Sequence, residues 1–177
     1  MKVLVTGFTP FNNSINNYSA EVLKYLTDVE KLIVDVVYDN CYLDVISKYN
    51  LDDFDLIIAM GEARMRNELT LEIQAKNISS CSLADNIGQI KQSEIIDDIF
   101  PDVIETNVKV DYLSEIIKFS YDAGKFVCNN LYFHLLKNYP NKSLFIHIPN
   151  CNDSEDEYIK YAKKINKIIE ILLEKRN

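Results

Sequence analysis

The chain has 177 residues, of which 47% are hydrophobic and 26% are charged, a balance typical of one globular domain with a sizeable core. Its formal net charge of -8 disfavours nucleic acids and anionic membrane surfaces as partners, because phosphate binding requires a basic face. No apolar run approaches the ~20 residues needed to span a bilayer, and the first residues lack the long apolar stretch of a secretory signal. We therefore expect a cytoplasmic protein.

The first third of the chain alternates strand and helix patterns. Short apolar runs at residues 3–7, 32–38 and 55–60 predict buried strands, and the apolar spacing in residues 18–26 and 43–49 predicts helices. This order predicts parallel strands flanked by helices, the arrangement of an α/β fold.

The rest of the chain is clearest near its end. Residues 128–138 have the pattern of a helix buried over a wide face, residues 144–148 that of a strand, and residues 155–175 that of a long amphipathic helix. In the middle, residues 68–78 are compatible with one strand, and residues 93–111 with a loop or short strands. We predict a single domain over residues 1–177.

Four cysteines are present, and no two of them are spaced as a C-x-x-C pair. With only two histidines, a zinc site of the usual spacing is disfavoured, and no cofactor is implied. A disulfide framework fits the even number of cysteines, but a reducing cytosol disfavours it. A single cysteine in such a chain is a candidate nucleophile, although a buried inert thiol is the commoner case.

Cys128 lies at the predicted start of a helix. Unpaired backbone N–H groups at a helix start stabilise a thiolate, so we expect a lowered pKa for this thiol. The same N–H groups can receive the oxyanion of an acyl transfer reaction.

Two histidines compete as the base. His147 lies in a strand whose other residues favour burial, so its ring requires a polar partner. The alternative to a catalytic base is a structural core histidine whose ring nitrogens are hydrogen-bonded. His134 lies six residues beyond Cys128 on the same helix, off its face, and is expected to be structural. Glu72 is flanked by Leu71 and Ile73, where a carboxylate can orient a histidine or simply face solvent.

Four segments in this order resemble the pyroglutamyl peptidase I family. They are V-T-G-F-T-P-F at residues 5–11, the spacing of Gly, Ala, Arg, Glu, Ala and Asn over residues 61–77, A-G-K-F-V-C-N at residues 123–129, and F-I-H-I-P at residues 145–149. A fifth segment, D-N-I-G at residues 85–88, is similar to the family's D-N-x-G.

The resemblance implies a cysteine peptidase that removes an N-terminal pyroglutamyl group from small peptides with a blocked N-terminus. Carried over by position, Cys128 is the nucleophile, His147 the base and Glu72 the residue that orients His147. The implied fold is a three-layer α/β/α domain with a mostly parallel, mixed central sheet, as in phosphorylase/hydrolase-like proteins. Assembly into a homo-oligomer is left open.

The resemblance also implies the residues that surround the reacting atoms. The backbone N–H of Cys128 and the side chain of Arg66 would stabilise the oxyanion, and Phe8, Phe11 and Phe126 would line the pocket for the lactam ring. The alternative for Arg66 is a surface ion pair, and the alternative for the three phenylalanines is core packing.

The chain departs from the family at several loops. Asn12-Asn13 and Arg64-Met65 each stand where the family has two glycines, and the chain is shorter before Ser120. Because bulky side chains resist positive φ, the second change is the harsher one. Two alternatives follow: a thiol hydrolase for another N-terminal group, or a non-catalytic binding module on the same scaffold.

Overall fold

A computed structural model describes residues 1–176; Asn177, the last residue of the predicted domain, lies outside the described residues. The described residues form strands β1 (Val3–Phe8), β2 (Glu30–Val34), β3 (Leu56–Glu62), β4 (Thr70–Glu72), β5 (Gln74–Lys76), β6 (Ile78–Ser79), β7 (Glu94–Ile95), β8 (Val103–Glu105), β9 (Lys118–Ser120) and β10 (Ser143–Ile148). They also form helices α1 (Tyr18–Lys24), α2 (Asn40–Lys48), α3 (Val127–Asn138) and α4 (Glu155–Glu174) and two 3₁₀ turns, Leu51–Asp53 and Asp111–Leu113.

Six strands form the central sheet in the order β2-β1-β3-β10-β4-β9. Strands β2, β1, β3 and β10 are parallel to one another, whereas β4 runs antiparallel to β10 and parallel to β9. The predicted mostly parallel, mixed sheet is confirmed. Two small ribbons, β5-β8 and β6-β7, extend from it.

Helices cover both faces of the sheet. Alternate residues of each central strand point to opposite faces, so β1, β3 and β10 contribute side chains to two separate cores. One core packs α1 and α4 against residues such as Val5, Ile58 and Ile146. The other packs α2 and α3 against residues such as Leu4 and Phe145. This is the predicted three-layer α/β/α arrangement.

The prediction of a strand at residues 32–38 is wrong in its limits. The strand is β2, Glu30–Val34, which lies at the sheet edge in register with β1 from Leu4↔Glu30 to Phe8↔Val34. An edge strand exposes polar residues, so its apolar pattern is weak. Val36 and Tyr38 are buried outside the strand, where Tyr38 packs edge-on against Phe126.

The single strand considered for residues 68–78 is three strands. Strand β4 belongs to the central sheet, whereas β5 and β6 turn away to pair with β8 and β7. Each of these strands has only two or three residues, so its period is too short to detect in sequence. No helix in the described part of the chain is long and apolar enough to cross a membrane.

Candidate active site

The candidate site lies at the carboxyl ends of the central parallel strands, on the face covered by α3. Ligand sites of open α/β sheets commonly occupy this position. Cys128 is the second residue of α3, directly above Gly61 near the end of β3. A Cβ atom added to Gly61 would lie 2.6 Å from the Cys128 sulfur. The glycine therefore leaves the space that the thiol occupies.

His147 and Glu72 are joined by a buried hydrogen bond. In the register of β10 with β4, Phe145 lies opposite Glu72 and His147 opposite Thr70, so the two side chains are diagonal neighbours on one face. His147 Nδ1 is 2.7 Å from Glu72 Oε1. Because a carboxylate only accepts, Nδ1 donates, and Nε2 of a neutral ring is left as an acceptor.

The ionisation of this pair follows from its surroundings. Burial lowers the pKa of His147, and the bonded Glu72 partly offsets that effect. Burial alone would raise the pKa of Glu72, but the hydrogen bond and charge of His147 and the charge of Arg66 outweigh it, so the pKa is lowered. The pair therefore combines an ionised carboxylate with a neutral imidazole, the state required of a general base.

Arg66 contacts the same oxygen of Glu72 as His147 does. Its Nη1 donates to Glu72 Oε1 at 2.5 Å and to the Thr70 hydroxyl, and its Nη2 donates to the Asp122 carbonyl at 2.8 Å. Arg66 is not among the residues that line the cavity at Cys128. The oxyanion role predicted for Arg66 stays a prediction, and its contacts fit the positioning of Glu72 more directly.

The expectation of a lowered thiol pKa is wrong for this structure. Burial raises the pKa of Cys128 to about 12, with the charges of Glu62 and Glu72 adding to the effect. The backbone N–H of Cys128 and the charge of Arg66 act in the opposite direction but are weaker. A partly accessible thiol in this setting is neutral at rest and needs a base to deprotonate it.

One cavity of about 130 Å³ contains both Cys128 and His147 in its lining. Within residues 1–176, no hydrogen bond joins the two side chains, as is common in ligand-free sites. The cavity is otherwise mainly apolar. The structure brings all three predicted pocket residues to its wall, which is formed by Phe8, Phe11, Asn17, Val36, Glu62, Ala123, Phe126, Val127, Cys128 and His147.

Sequence reasoning missed two polar residues of this wall. Glu62 directly follows the strand glycine, and a carboxylate at the carboxyl end of a central strand could have marked it. Asn17 directly precedes α1, where an asparagine is typical of a helix cap. It does cap α1, since its Oδ1 accepts from the Ser19 backbone N–H at 3.0 Å.

The two substituted glycine pairs behave differently. Asn12 and Asn13 both take positive φ, 51° and 59°, so asparagine preserves the turn, as expected for a residue that tolerates this region. Neither Arg64 nor Met65 has positive φ. Their loop instead forms a turn closed by a hydrogen bond from the Arg66 N–H to the Ala63 carbonyl at 2.8 Å.

His134 lies away from the site, as predicted. It stacks on Tyr42 with ring centroids 5.1 Å apart, and its Nε2 is 3.3 Å from Asp39 Oδ1. All four cysteines are free. Among residues 1–176, no three His, Cys, Asp or Glu side chains are grouped as metal ligands would be.

Fold and site together define a class: an α/β protein with a thiol at a helix start, near an imidazole that is held by a carboxylate. A family model described as pyroglutamyl peptidase matches residues 1–162. The chain is 35% identical over 167 residues to the pyrrolidone-carboxylate peptidase of Thermoanaerobacter sp. (strain X514), covering 84% of this chain and 82% of that one. It is 32% identical over 168 residues to the enzyme of that name from Thermosipho africanus (strain TCF52B), with coverage of 84% and 82%.

A solved structure agrees with these relatives. The crystal structure of pyrrolidone carboxyl peptidase from Fervidobacterium islandicum AW-1 superposes with a TM-score of 0.82 at 27% identity, covering 98% of this chain and 99% of that chain. The chain belongs to the pyroglutamyl peptidase family.

Proposed function

We propose that this protein is a cysteine peptidase that removes the N-terminal pyroglutamyl group from small peptides, with Cys128, His147 and Glu72 as its catalytic residues. Family membership supports the reaction. The observation that carries the residue assignment is the 2.7 Å hydrogen bond from His147 Nδ1 to Glu72. Because Nδ1 donates in this bond, Nε2 is free to act as a base. His147 lines the same cavity as Cys128, whose thiol is the one in that lining.

In the first half of the reaction, the Cys128 sulfur attacks the carbonyl carbon that links the pyroglutamyl ring to the next residue. His147 Nε2 takes the thiol proton as the C–S bond forms, because the thiol is neutral before attack. The carbonyl oxygen becomes an oxyanion, which the unpaired N–H groups at the start of α3, including that of Cys128, are placed to receive. His147 then gives the proton to the leaving amine as the C–N bond breaks.

In the second half, water replaces the released peptide. His147 Nε2 takes a proton from the water as its oxygen attacks the thioester. The imidazolium then returns this proton to the sulfur as the C–S bond breaks, which restores the thiol and releases pyroglutamate. Glu72 stays ionised throughout and stabilises the imidazolium that forms in each half. Arg66 donates to the same carboxylate oxygen as His147 and helps to hold it in place.

The cavity suits a small uncharged ring. Its volume of about 130 Å³ equals that of about four liquid-water molecules, close to the size of a five-membered lactam. Phe11 and Phe126, with ring centroids 5.7 Å apart, provide flat apolar walls. A substrate of this kind has a blocked N-terminus, because the ring carries no free amine.

The test is turnover of a fluorogenic pyroglutamyl amide in reducing buffer. We expect cleavage by the wild type and a loss of at least about 10³-fold in Cys128→Ser. Cys81→Ser, which alters a partly exposed cysteine elsewhere, is the matched control and should retain full activity. Turnover that persists in Cys128→Ser, or its absence in the wild type, contradicts the proposal.

A diverged substrate is the second candidate, favoured by the cavity-lining carboxylate of Glu62 next to the substituted Arg64-Met65 loop. Parallel assays with prolyl, glutaminyl and acetylated aminoacyl amides separate the two. Preference for any of these over the pyroglutamyl amide would favour the diverged hydrolase.

We also propose that the protein acts in the cytoplasm. Four cysteines without a disulfide among the described residues fit a reducing compartment. Assembly into a homo-oligomer stays a prediction.

A further inference from the structure

The wall of the catalytic cavity contains a carboxylate that the reaction described above does not use. The Glu62 side chain is only 3% exposed and lies at the end of β3, in the lining shared with Cys128 and His147. A buried carboxylate needs a cationic partner or hydrogen-bond donors. Burial of the ionised Glu62 side chain is therefore tolerated only if neighbouring groups neutralise its charge.

Arg64 supplies that neutralisation. Its Nε donates to Glu62 Oε1 at 3.0 Å and its Nη2 to Oε2 at 3.3 Å, a two-point contact that fits the planar guanidinium. The Tyr18 backbone N–H donates to Oε2 at 2.9 Å. The guanidinium also stacks on the Tyr18 ring at 4.2 Å, which limits its motion.

The same arginine secures a loop of the cavity. Arg64 Nη2 donates to the backbone carbonyl and to the side-chain oxygen of Asn16, both at 3.3 Å. Asn16 lies in the loop between β1 and α1, which also contributes Phe11 and Asn17 to the cavity wall. Arg64 therefore contacts both the Glu62 carboxylate and the loop that positions Phe11 in the cavity wall.

We propose that Arg64 is a positioning and specificity-determining residue: by pairing with Glu62 and holding the Asn16 loop, it keeps the cavity electrically neutral and shaped for an uncharged ring instead of a cationic N-terminus. This inference rests on the proposed function, since it concerns how the same cavity selects its substrate. An unpaired Glu62 would attract the protonated amine of an ordinary N-terminal residue, such as the ring nitrogen of proline.

The charged groups that act on the Cys128 thiol agree with this view. Glu62 on β3 and Glu72 on β4 disfavour the thiolate, whereas Arg66 favours it. Arg64 contacts Glu62 and so offsets one of the two unfavourable charges. Its removal should therefore lower the thiolate fraction as well as change substrate preference.

The experiment compares Arg64→Met, Arg64→Lys and Glu62→Gln with the wild type. For each we measure kcat and KM on a pyroglutamyl amide and on a prolyl amide, which has the same ring size but a cationic nitrogen. Arg176→Met is the matched control, because Arg176 donates to the carbonyls of Asp55 and Asn141 near the amino ends of β3 and β10, opposite the end that contains the cavity.

We expect Arg64→Met to lower the pyroglutamyl-to-prolyl ratio of kcat/KM about tenfold. KM should fall for the prolyl amide, which the unpaired Glu62 attracts, and rise for the pyroglutamyl amide, whose cavity loses the support of the Asn16 loop. Arg64→Lys, which keeps the charge, should recover most of this loss, and Arg176→Met should match the wild type. An unchanged ratio in Arg64→Met, or equal losses in Arg64→Met and Arg64→Lys, overturns the proposal.

A second readout does not depend on turnover. Alkylation of Cys128 by iodoacetamide at pH 8, followed by mass spectrometry of its peptide, should be about threefold faster in Glu62→Gln and about threefold slower in Arg64→Met, because thiolate fraction changes more than nucleophilicity. If the wild type cleaves no pyroglutamyl amide but this order of rates holds, the proposed function fails and the Glu62–Arg64 pairing stands. Equal rates in all variants overturn the pairing's effect on the cavity.

Discussion

Gly61→Ala tests the packing of the nucleophile against the sheet. The added methyl would lie 2.6 Å from the Cys128 sulfur and 3.0 Å from Cζ of Phe145, so it meets the thiol on one side and an aromatic ring on the other. Reaching ordinary contact at 3.4 Å requires the sulfur to move by about 0.8 Å. Phe145 is fully buried, which leaves the thiol as the group that moves.

The magnitude follows from this displacement. A misplacement of ~1 Å at the reacting atom reduces turnover by roughly 10²-fold, and overpacking a core position costs about 1–3 kcal/mol of stability. We expect kcat/KM for a pyroglutamyl amide to fall by about 10²-fold and the urea midpoint to drop. The rate of Cys128 alkylation should also differ from that of the wild type, because the displaced atom is the sulfur that reacts.

Gly7→Ala is the matched control. Its added methyl would lie 3.0 Å from the backbone oxygen of Ser19, in the same sheet but against helix α1. We expect a comparable loss of stability with kcat of the folded fraction near the wild-type value. The reasoning is refuted if Gly61→Ala retains wild-type kcat/KM and alkylation rate, or if Gly7→Ala loses turnover to the same extent.

Three further predictions concern the carboxylate and its neighbours. Glu72→Gln should lower kcat by about 10²–10⁴-fold and move the acid limb of the kcat/KM profile to lower pH, because Glu72 raises the pKa of His147; an unmoved limb would contradict this. Tyr132→Phe removes the 2.8 Å hydrogen bond to the Glu72 carbonyl and should cost about 1–3 kcal/mol in urea unfolding, whereas no loss would show that the carbonyl finds another donor. The contribution of His147 and Glu72 to stability should be complete at pH 7 and should fall as pH decreases through 6.5 and then 4.5, the unfolded pKa values of these groups. Both folded pKa values are lowered, so the unfolded chain takes up each proton first, and His147→Gln should lack the first fall.

Sequence patterns located the elements that have a strong period. The α3 and α4 helices and the β1, β3 and β10 strands were predicted within one or two residues, because each buries a continuous apolar face. The strands in the middle of the chain could not be predicted in this way, since β4 to β9 have only two or three residues each and pair with partners distant in sequence. Pairing between such strands is decided by tertiary contacts.

The catalytic roles of the candidate residues stay predictions, whereas the electrostatics of the site differ from what the sequence predicts. Motif spacing brought attention to Cys128, His147 and Glu72, which the structure places at one end of the sheet. The thiol pKa was expected to be lowered by the start of α3, but burial outweighs that local effect. The thiol lies against Gly61 and shares a cavity wall with Asn17 and Glu62, residues far from it in sequence whose proximity no local pattern reveals.

The role of Arg66 also depends on tertiary structure. The family resemblance implies an oxyanion role for Arg66, which stays a prediction; in the structure the side chain contacts the Glu72 carboxylate and the Asp122 carbonyl. Sequence spacing can predict where the backbone of Arg66 lies, but not which groups its long side chain contacts. The rotamer of a long side chain is set by the charges that it meets.

The most direct test of the central claim is to trap the acyl-enzyme. The wild type and Cys128→Ser would be mixed with excess pyroglutamyl amide, quenched in acid within a turnover, and digested for mass spectrometry. We predict a mass increase of one pyroglutamoyl group on the peptide that contains Cys128, and no such adduct in Cys128→Ser. An adduct on Cys41, Cys81 or Cys151, or rapid turnover by the Cys128→Ser variant, would contradict the account.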